Sequence, residues 1–145
     1  MVHAGGHLLD LPQVVADAPA LDEAQVTDRC QVIGGDMLAS VPADADAYLI
    51  KRVLMDWGNN DATALLRNCA AAMAKEGKVI VVEMLMPAGN DPSQAKPFDI
   101  LMLLNQSGRI RTEAEFRELF AAAGLRLTRI IPTASPNSIL EGIRA

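Results

Sequence analysis

The segment 78–86 constrains the fold of this chain more than any other. After Lys78 it is apolar at consecutive positions rather than at alternate ones, and Glu83 is its only internal charge. Such a pattern is typical of a strand in a parallel sheet that helices cover on both sides. Gly77 and Pro87 flank the segment, as expected for a strand bounded by turns. We therefore predict an α/β fold with a Rossmann-like, three-layer architecture and a mostly parallel sheet.

Strand and helix patterns alternate along the rest of the chain. Strands are predicted at His7–Pro12, Gln31–Ile33, from Tyr48 to about Lys51, and, at the end, at Leu125–Thr133 and Ser138–Ile143. Helices are predicted at Ala20–Val26, from Asn59 or Asn60 as cap to Gly77, at Pro97–Asn105, and from the capping box at Thr112 to Gly124. The two last strands should pair antiparallel, and no linker divides residues 1–145, which predicts one domain.

Composition and charge exclude several functions. The chain has 145 residues, of which 50% are hydrophobic and 3% aromatic, so aliphatic residues and methionine must fill its core. A net charge of −5 without a basic run argues against a nucleic-acid or anionic-membrane partner. Cys30 and Cys69 lack metal-ligand spacing, which predicts reduced thiols and no metal site. No apolar run approaches the ~18 residues of a membrane span, and a cytoplasmic location is expected.

Polar residues follow several predicted strands, at the sheet edge where α/β proteins bind ligands. These are Asp10, Asp36 and the stretch from Lys51 to Trp57. The aspartates could equally be turn formers, and Trp57 could be a core residue. Glu83 is harder to explain structurally, because a carboxylate in a buried apolar strand needs a partner or a shifted pKa. It is therefore the strongest single candidate.

Six motifs, in order, resemble the catalytic domain of the caffeate and hydroxyneurosporene type (plant-type, family 2) of O-methyltransferases. They are Asp10–Pro12, Gly34–Met37, Leu49–Lys51, Asp56–Trp57, Val81–Met84 and Arg111–Phe116. The resemblance covers nearly the whole chain and implies a class I enzyme that uses S-adenosylmethionine. It implies that the cofactor is bound by Asp10 at the ribose, by Asp36 and Met37 at the adenine, and by Lys51. It also implies that an acceptor pocket is bordered by Asp56, Trp57, Met102 and Asn105. Without the resemblance, Met37, Met84 and Met102 would be interpreted as core residues.

Two departures from the family pattern concern catalysis. In the family, a histidine directly before the Asp-Trp pair takes the proton from the acceptor hydroxyl, whereas here that position is Met55. A thioether is not a useful base at neutral pH. A second carboxylate of the family is replaced by Ile110. Of the family's base and its two supporting carboxylates, only Glu83 therefore remains. His3 and His7 do not match the missing base.

A third departure concerns the beginning of the domain. The family has an N-terminal dimerisation domain and then a central strand, a Gly-rich loop and a helix that faces the cofactor. Here residues 2–7 are at most a remnant of that loop. We therefore expect weak or absent cofactor binding, a homo-oligomer rather than a stable monomer, and an open sheet edge. Either residues 1–11 or another chain would close that edge.

Two functions from different classes remain. The first is an impaired O-methyltransferase acting on a phenolic or enolic oxygen of a small aromatic or polyketide-like acceptor, with positioning supplying most of the rate. The second is a non-catalytic module of the same descent that binds a ligand or a partner protein. Other chemistry on polyketides is a remote third. The fold alone does not discriminate among them.

Overall fold

The computed structural model describes residues 5–105 and 107–145, and of Asn105 only the main chain. The predicted acceptor role of the Asn105 side chain, like His3, therefore lies outside the described residues. The chain divides into two compact units, Met1–Pro42 and Ala43–Ala145. Each unit is described by itself below.

The first unit contains a pair of parallel strands and two short helices. Its elements are β1 (Gly6–Asp10), α1 (Pro12–Val15), α2 (Pro19–Glu23) and β2 (Cys30–Gly34). Strand β1 pairs with β2 from Gly6 opposite Cys30 to Asp10 opposite Gly34. Strand β1 ends at Asp10, two residues before the predicted end at Pro12, and Pro12 begins α1, where its fixed φ suits the first helical position. Helix α2 is shorter than the predicted Ala20–Val26, because Gln25 has a φ of 53°.

The second unit contains a four-stranded mixed sheet in the order β3-β4-β6-β5. Its elements are β3 (Ala47–Lys51), α3 (Asn59–Ala72), β4 (Lys78–Met84), α4 (Ala95–Asn105), α5 (Glu113–Ala122), β5 (Leu125–Pro132) and β6 (Asn137–Arg144). Strands β3 and β4 are parallel, while β6 runs antiparallel to both β4 and β5. The predicted α/β class and antiparallel C-terminal pair are confirmed.

Helix α5 shows how completely a local pattern can determine an element. The Thr112 side chain accepts a hydrogen bond from the Glu115 amide, and the Glu115 side chain accepts one from the Thr112 amide. These two bonds complete the predicted capping box. The apolar face of the helix, Phe116, Leu119 and Phe120, is buried. Gly124 follows with a φ of 75°, as expected for the residue after a helix.

The boundaries of α3 differ from the prediction at both ends. Gly58 is the N-cap, so the expected cap at Asn59 or Asn60 is wrong. The Asn59 side chain instead accepts hydrogen bonds from Arg111. The helix ends at Ala72 rather than near Gly77, because Met73 is already extended and leads the chain toward β4.

Burial of β4 and α4 is less symmetric than predicted. On β4, Val79, Val81 and Glu83 are at most 1% exposed, whereas Ile80 and Val82 on the other face are only half-buried. Full burial of both faces was therefore wrong. On α4, the sequence spacing places Ile100, Leu101 and Leu104 on one face and predicts that this face is buried, but these residues are exposed at 61%, 43% and 76%. The opposite face packs inward through Ala95, Phe98 and Met102.

Strand β3 is an edge strand of the four-stranded sheet. Closure of the expected open sheet edge, by residues 1–11 or by another chain, stays a prediction. In the part of the chain that is described, no helix is long and apolar enough to cross a membrane. The described His, Cys, Asp and Glu residues form no group that could hold a metal ion.

Candidate active site

The stretch after β3 leaves the sheet, as the sequence predicted, in a single 3-10 turn at Leu54–Asp56. Arg52 begins this departure with a φ of 55°, and its amide still donates to the Val82 carbonyl at 3.0 Å. Leu54 and Met55 are buried at 0% and 2% exposure. We call residues 54–57 the acceptor turn, because the family resemblance predicts that Asp56 and Trp57 border the acceptor.

Glu83 lies at the amino end of the acceptor turn. Its Oε1 accepts a hydrogen bond from the Met55 amide at 3.1 Å, and the side chain is 1% exposed. Burial raises the pKa of Glu83 to about 7, although the amides of Met55 and Leu54 and the charge of Arg111 favour the carboxylate. The predicted need for a partner and a shifted pKa is thus met, and the partner is the main chain. A catalytic role of Glu83 stays a prediction.

Arg111 contacts both ends of the acceptor turn and is 1% exposed. Its Nη1 donates to the Leu54 carbonyl at 2.7 Å and its Nη2 to the Trp57 carbonyl at 2.8 Å. Its Nε and Nη2 also reach Asn59 Oδ1, at 3.1 and 3.0 Å. Burial lowers the pKa of this guanidinium, and the Glu83 charge opposes that effect.

Arg111 lies within a motif that resembles the family, but the sequence predicted no role for it. One signal could have identified it. Arg111 directly precedes the N-cap Thr112, where a cation is unfavourable near the positive end of α5. An arginine there therefore requires a partner elsewhere, and the acceptor turn provides it.

The segment before Arg111 also packs against the acceptor turn. The Arg109 amide donates to the Met55 carbonyl at 2.9 Å. A Cβ added at Gly108 would overlap the main chain of Met55 and Asp56, so only glycine permits this approach. Gly108 was not singled out from the sequence, because its constraint comes from residues more than fifty positions away.

The side chains of Met55 and Ile110, the two departures from the family pattern, meet in one apolar cluster. Its buried members are Met55, Met84, Ala95 and Ile110, and Met86, Phe98 and Met102 pack against it. Met102, a predicted acceptor residue, packs against the same cluster as Met55, and its contact with an acceptor stays a prediction. None of these side chains can accept a proton, so the cluster contains no general base.

Asp56 and Trp57 are half-buried and complete the acceptor turn. Partial burial raises the pKa of Asp56, and the Arg52 charge acts in the opposite direction. The Arg52 guanidinium also lies 5.5 Å from the centre of the Phe98 ring, within reach of a cation–π interaction. Arg52 is thus a cationic neighbour of the apolar cluster, a contact that the sequence did not predict.

The predicted cofactor residues occupy the strand ends where they were expected. Asp10 is the last residue of β1, and Lys51, which is exposed, is the last residue of β3. Asp10 Oδ1 accepts from the Leu11 amide at 2.7 Å, and Asp36 Oδ1 accepts from the Leu38 amide at 2.8 Å. Asp36 therefore forms a turn, the alternative that the sequence left open, whereas the Asp10 bond reaches only the next residue. Their contact with a cofactor, and that of the half-buried Met37, stays a prediction.

The sequence relationships agree with this geometry. A profile of the O-methyltransferase domain matches residues 3–126. The chain is 44% identical over 139 residues to a phenazine O-methyltransferase of Lysobacter antibioticus, covering 95% of this chain and 41% of the relative. It is 39% identical over 140 residues to an (iso)eugenol O-methyltransferase of Clarkia breweri, covering 93% and 36%. The chain thus spans about two fifths of the length of these relatives.

Solved structures give the same result. A mitomycin 7-O-methyltransferase superposes with a TM-score of 0.90 at 36% identity, over 97% of this chain and 42% of the other. An O-methyltransferase from neocarzinostatin biosynthesis, solved with S-adenosyl-L-homocysteine and 1,4-dihydroxy-2-naphthoic acid, superposes with a TM-score of 0.85 at 35% identity. That match covers 97% of this chain and 42% of the other.

Proposed function

Because this chain belongs to the O-methyltransferase domain family, we propose that it is the acceptor-binding part of an S-adenosylmethionine-dependent O-methyltransferase with impaired proton removal. Its acceptor is a small planar phenol or enol whose hydroxyl group ionises without help from the protein. The observation that carries this proposal is the apolar cluster around Met55 and Ile110. Both positions lie beside the acceptor turn, and neither side chain can take a proton.

The proposed cofactor contacts rest on chemistry that these residues can supply. The carboxylates of Asp10 and Asp36 can accept hydrogen bonds from ribose or adenine donors, and Met37 can pack on an aromatic ring. Lys51 stands exposed at a strand end. When bound, S-adenosylmethionine supplies the sulfonium methyl group that the acceptor oxygen takes, leaving S-adenosylhomocysteine.

The residues of this chain would act by holding the acceptor in a fixed orientation. Trp57 and Met102 would border the aromatic ring, and Asp56 would meet its polar substituents. The hydroxyl proton would leave to solvent before attack, since Met55 offers no lone pair of sufficient basicity. Orientation of the two reacting atoms then supplies the rate enhancement.

A non-catalytic module is the second candidate, and the same cluster favours it. Met55 and Ile110 are 2% and 3% exposed and belong to one apolar cluster, as core residues do. A domain that retains the acceptor turn but no base could bind a planar aromatic ligand without changing it. A cytoplasmic location and self-association are part of both proposals.

Transfer of a radiolabelled methyl group from S-adenosylmethionine to 1,4-dihydroxy-2-naphthoic acid, the acid bound in the neocarzinostatin relative, tests the proposal. Calorimetry with the cofactor and with the acid is performed first, to establish that each binds. The proposed enzyme should show slow turnover that rises with pH until the acceptor hydroxyl is ionised. Binding of both molecules without turnover at any pH would favour the non-catalytic module. Turnover that stays constant with pH across the ionisation of the acceptor hydroxyl would contradict both.

A further inference from the structure

We propose that Arg111 is a positioning residue that holds the acceptor turn in place, and that Asp56 and Trp57 depend on it for their orientation. The proposal rests on the proposed function only where it concerns the acceptor. Its structural part concerns the turn itself and can be tested without any ligand.

The Arg111 guanidinium donates hydrogen bonds to three acceptor groups in or beside the turn. The guanidinium donates to the carbonyls of Leu54 and Trp57, at 2.7 and 2.8 Å, and thereby joins the beginning and the end of residues 54–57. Asn59 Oδ1 accepts two further bonds, at 3.1 and 3.0 Å, which fix the plane of the guanidinium. Only arginine has five donors in a rigid planar arrangement, so lysine cannot make these contacts together.

Glu83 and Arg111 bind the same peptide group of the turn. Glu83 accepts from the Met55 amide at 3.1 Å and Arg111 donates to the Leu54 carbonyl at 2.7 Å, so this peptide group has a carboxylate on its N–H side and a guanidinium on its carbonyl side. Both side chains are 1% exposed. Each charge is placed where the peptide dipoles of the turn stabilise it. Removing Arg111 would leave two carbonyls of the turn and the Asn59 amide without these donors.

The position of the turn depends on Arg111 because residues 54–57 are not part of a sheet. Of its residues, Leu54 and Met55 are anchored in the apolar interior, but Asp56 and Trp57 are only half-buried. The Trp57 carbonyl is fixed by Arg111. Without that bond the end of the turn gains freedom while Leu54 and Met55 stay buried. We therefore expect a local loss of order rather than global unfolding.

Trp57 is the only tryptophan of the chain, so its fluorescence reports on this turn alone. The experiment measures acrylamide quenching of Trp57 in the wild-type chain, Arg111→Met, Arg111→Lys and Asn59→Ala. Arg144→Met is the matched control, because Arg144 also donates to main-chain carbonyls, those of Ala70 and Met73, but at the end of α3. Circular dichroism establishes that each variant is folded.

We expect the quenching constant to rise about twofold or more in Arg111→Met and less in Arg111→Lys, with Arg144→Met close to wild type. Asn59→Ala should give a smaller rise, since it loosens the guanidinium without removing it. If Arg111→Met does not fold, Arg111→Lys and Asn59→Ala decide the question. An unchanged constant in those two variants, or an equal rise in Arg144→Met, would overturn the proposal.

A second measurement separates this proposal from the proposed function. Calorimetry with 1,4-dihydroxy-2-naphthoic acid should show about tenfold weaker binding to Arg111→Met than to the wild-type chain, and no change for Arg144→Met. If the wild-type chain does not bind the acid, the proposed acceptor is wrong, while the quenching result still decides the role of Arg111. If binding is normal in Arg111→Met despite increased quenching, the turn does not orient the acceptor, and that part of the inference fails.

Discussion

At the scale of single residues, the site is defined by which groups Glu83 and Met55 actually contact. The family resemblance implied that Glu83 would support a histidine side chain at position 55. The structure gives its carboxylate the Met55 amide, while the Met55 side chain joins the apolar cluster. A carboxylate with main-chain partners stabilises the turn whether or not a base is present, which explains how Glu83 can remain when the base is absent.

The raised pKa of Glu83 predicts a specific pH dependence of stability. The native state holds this proton more tightly than the unfolded chain, since the pKa rises from 4.5 to about 7 on folding. The resulting contribution to stability is complete below pH 4.5 and is lost as the pH rises through about 7. At ~1.4 kcal/mol per pKa unit, the loss is at most on the order of 3 to 4 kcal/mol.

Urea unfolding of the wild-type chain and Glu83→Gln across this pH range measures the effect. Glutamine can accept from the Met55 amide but does not titrate, so it is a suitable control for the hydrogen bond. The difference in unfolding free energy between the two proteins should change with pH only between about pH 4.5 and 7. A difference that stays constant over that range would show that Glu83 does not titrate as described.

At the scale of elements, the acceptor turn depends on a segment far from it in sequence. The residues 108–111 approach it closely through Gly108 and bond to it through the Arg109 amide and the Arg111 side chain. The sequence predicted that the chain leaves the sheet after β3, because the apolar pattern ends there. It could not predict what holds the departing turn, since Arg111 and Asn59 are 52 residues apart.

We predict that Gly108→Ala destabilises the protein strongly, by several kcal/mol, because the added methyl group overlaps the main chain of Met55 and Asp56. Gly58→Ala is the matched control in the same region, because its added Cβ would be 3.8 Å from the nearest heavy atom, the Ser107 carbonyl oxygen. Chemical unfolding measures both variants. Equal stability of the two variants would mean that the segment 108–111 moves aside without cost.

The two edges of the four-stranded sheet differ in how they resist pairing with another strand. On β5, Arg126 and Arg129 are exposed, Pro132 ends the strand, and a register irregularity lies between Leu127 and Arg129. Such features discourage edge-to-edge association. On β3, Ala47, Leu49 and Lys51 are exposed, Leu49 to 68%, so Lys51 is the only charge on this strand, which has no proline or irregularity. The β3 edge is thus the less protected of the two.

From this difference we predict that the chain self-associates and that Leu49→Lys reduces the association. A lysine on an edge strand opposes pairing with a second strand. Arg126→Gln, on the protected edge, is the control and should leave the association unchanged or increase it. Light scattering over a wide concentration range measures the mass. A wild-type chain that is monomeric throughout would refute the prediction.

At the scale of the whole molecule, local patterns were sufficient for some features and insufficient for others. The capping box at Thr112, the stop at Gly124 and the antiparallel C-terminal pair were predicted because each depends on neighbouring residues or a short turn. The N-cap at Gly58 was missed because Arg111 engages the Asn59 side chain. The exposure of α4 was missed because periodicity identifies an apolar face without showing what covers it.

The central claim is that the acceptor turn belongs to a methyltransferase site that lacks its base. The most direct test is radiolabelled methyl transfer to 1,4-dihydroxy-2-naphthoic acid by the wild-type chain, Met55→His, and Met55→His combined with Glu83→Gln. Calorimetry must first show that the cofactor binds, since a base cannot replace a missing cofactor site. A general base contributes about 10²- to 10⁴-fold, so Met55→His should create or raise turnover by up to that factor. Glu83→Gln should reduce the gain. Substantial wild-type turnover that neither substitution changes would contradict the assignment of this site.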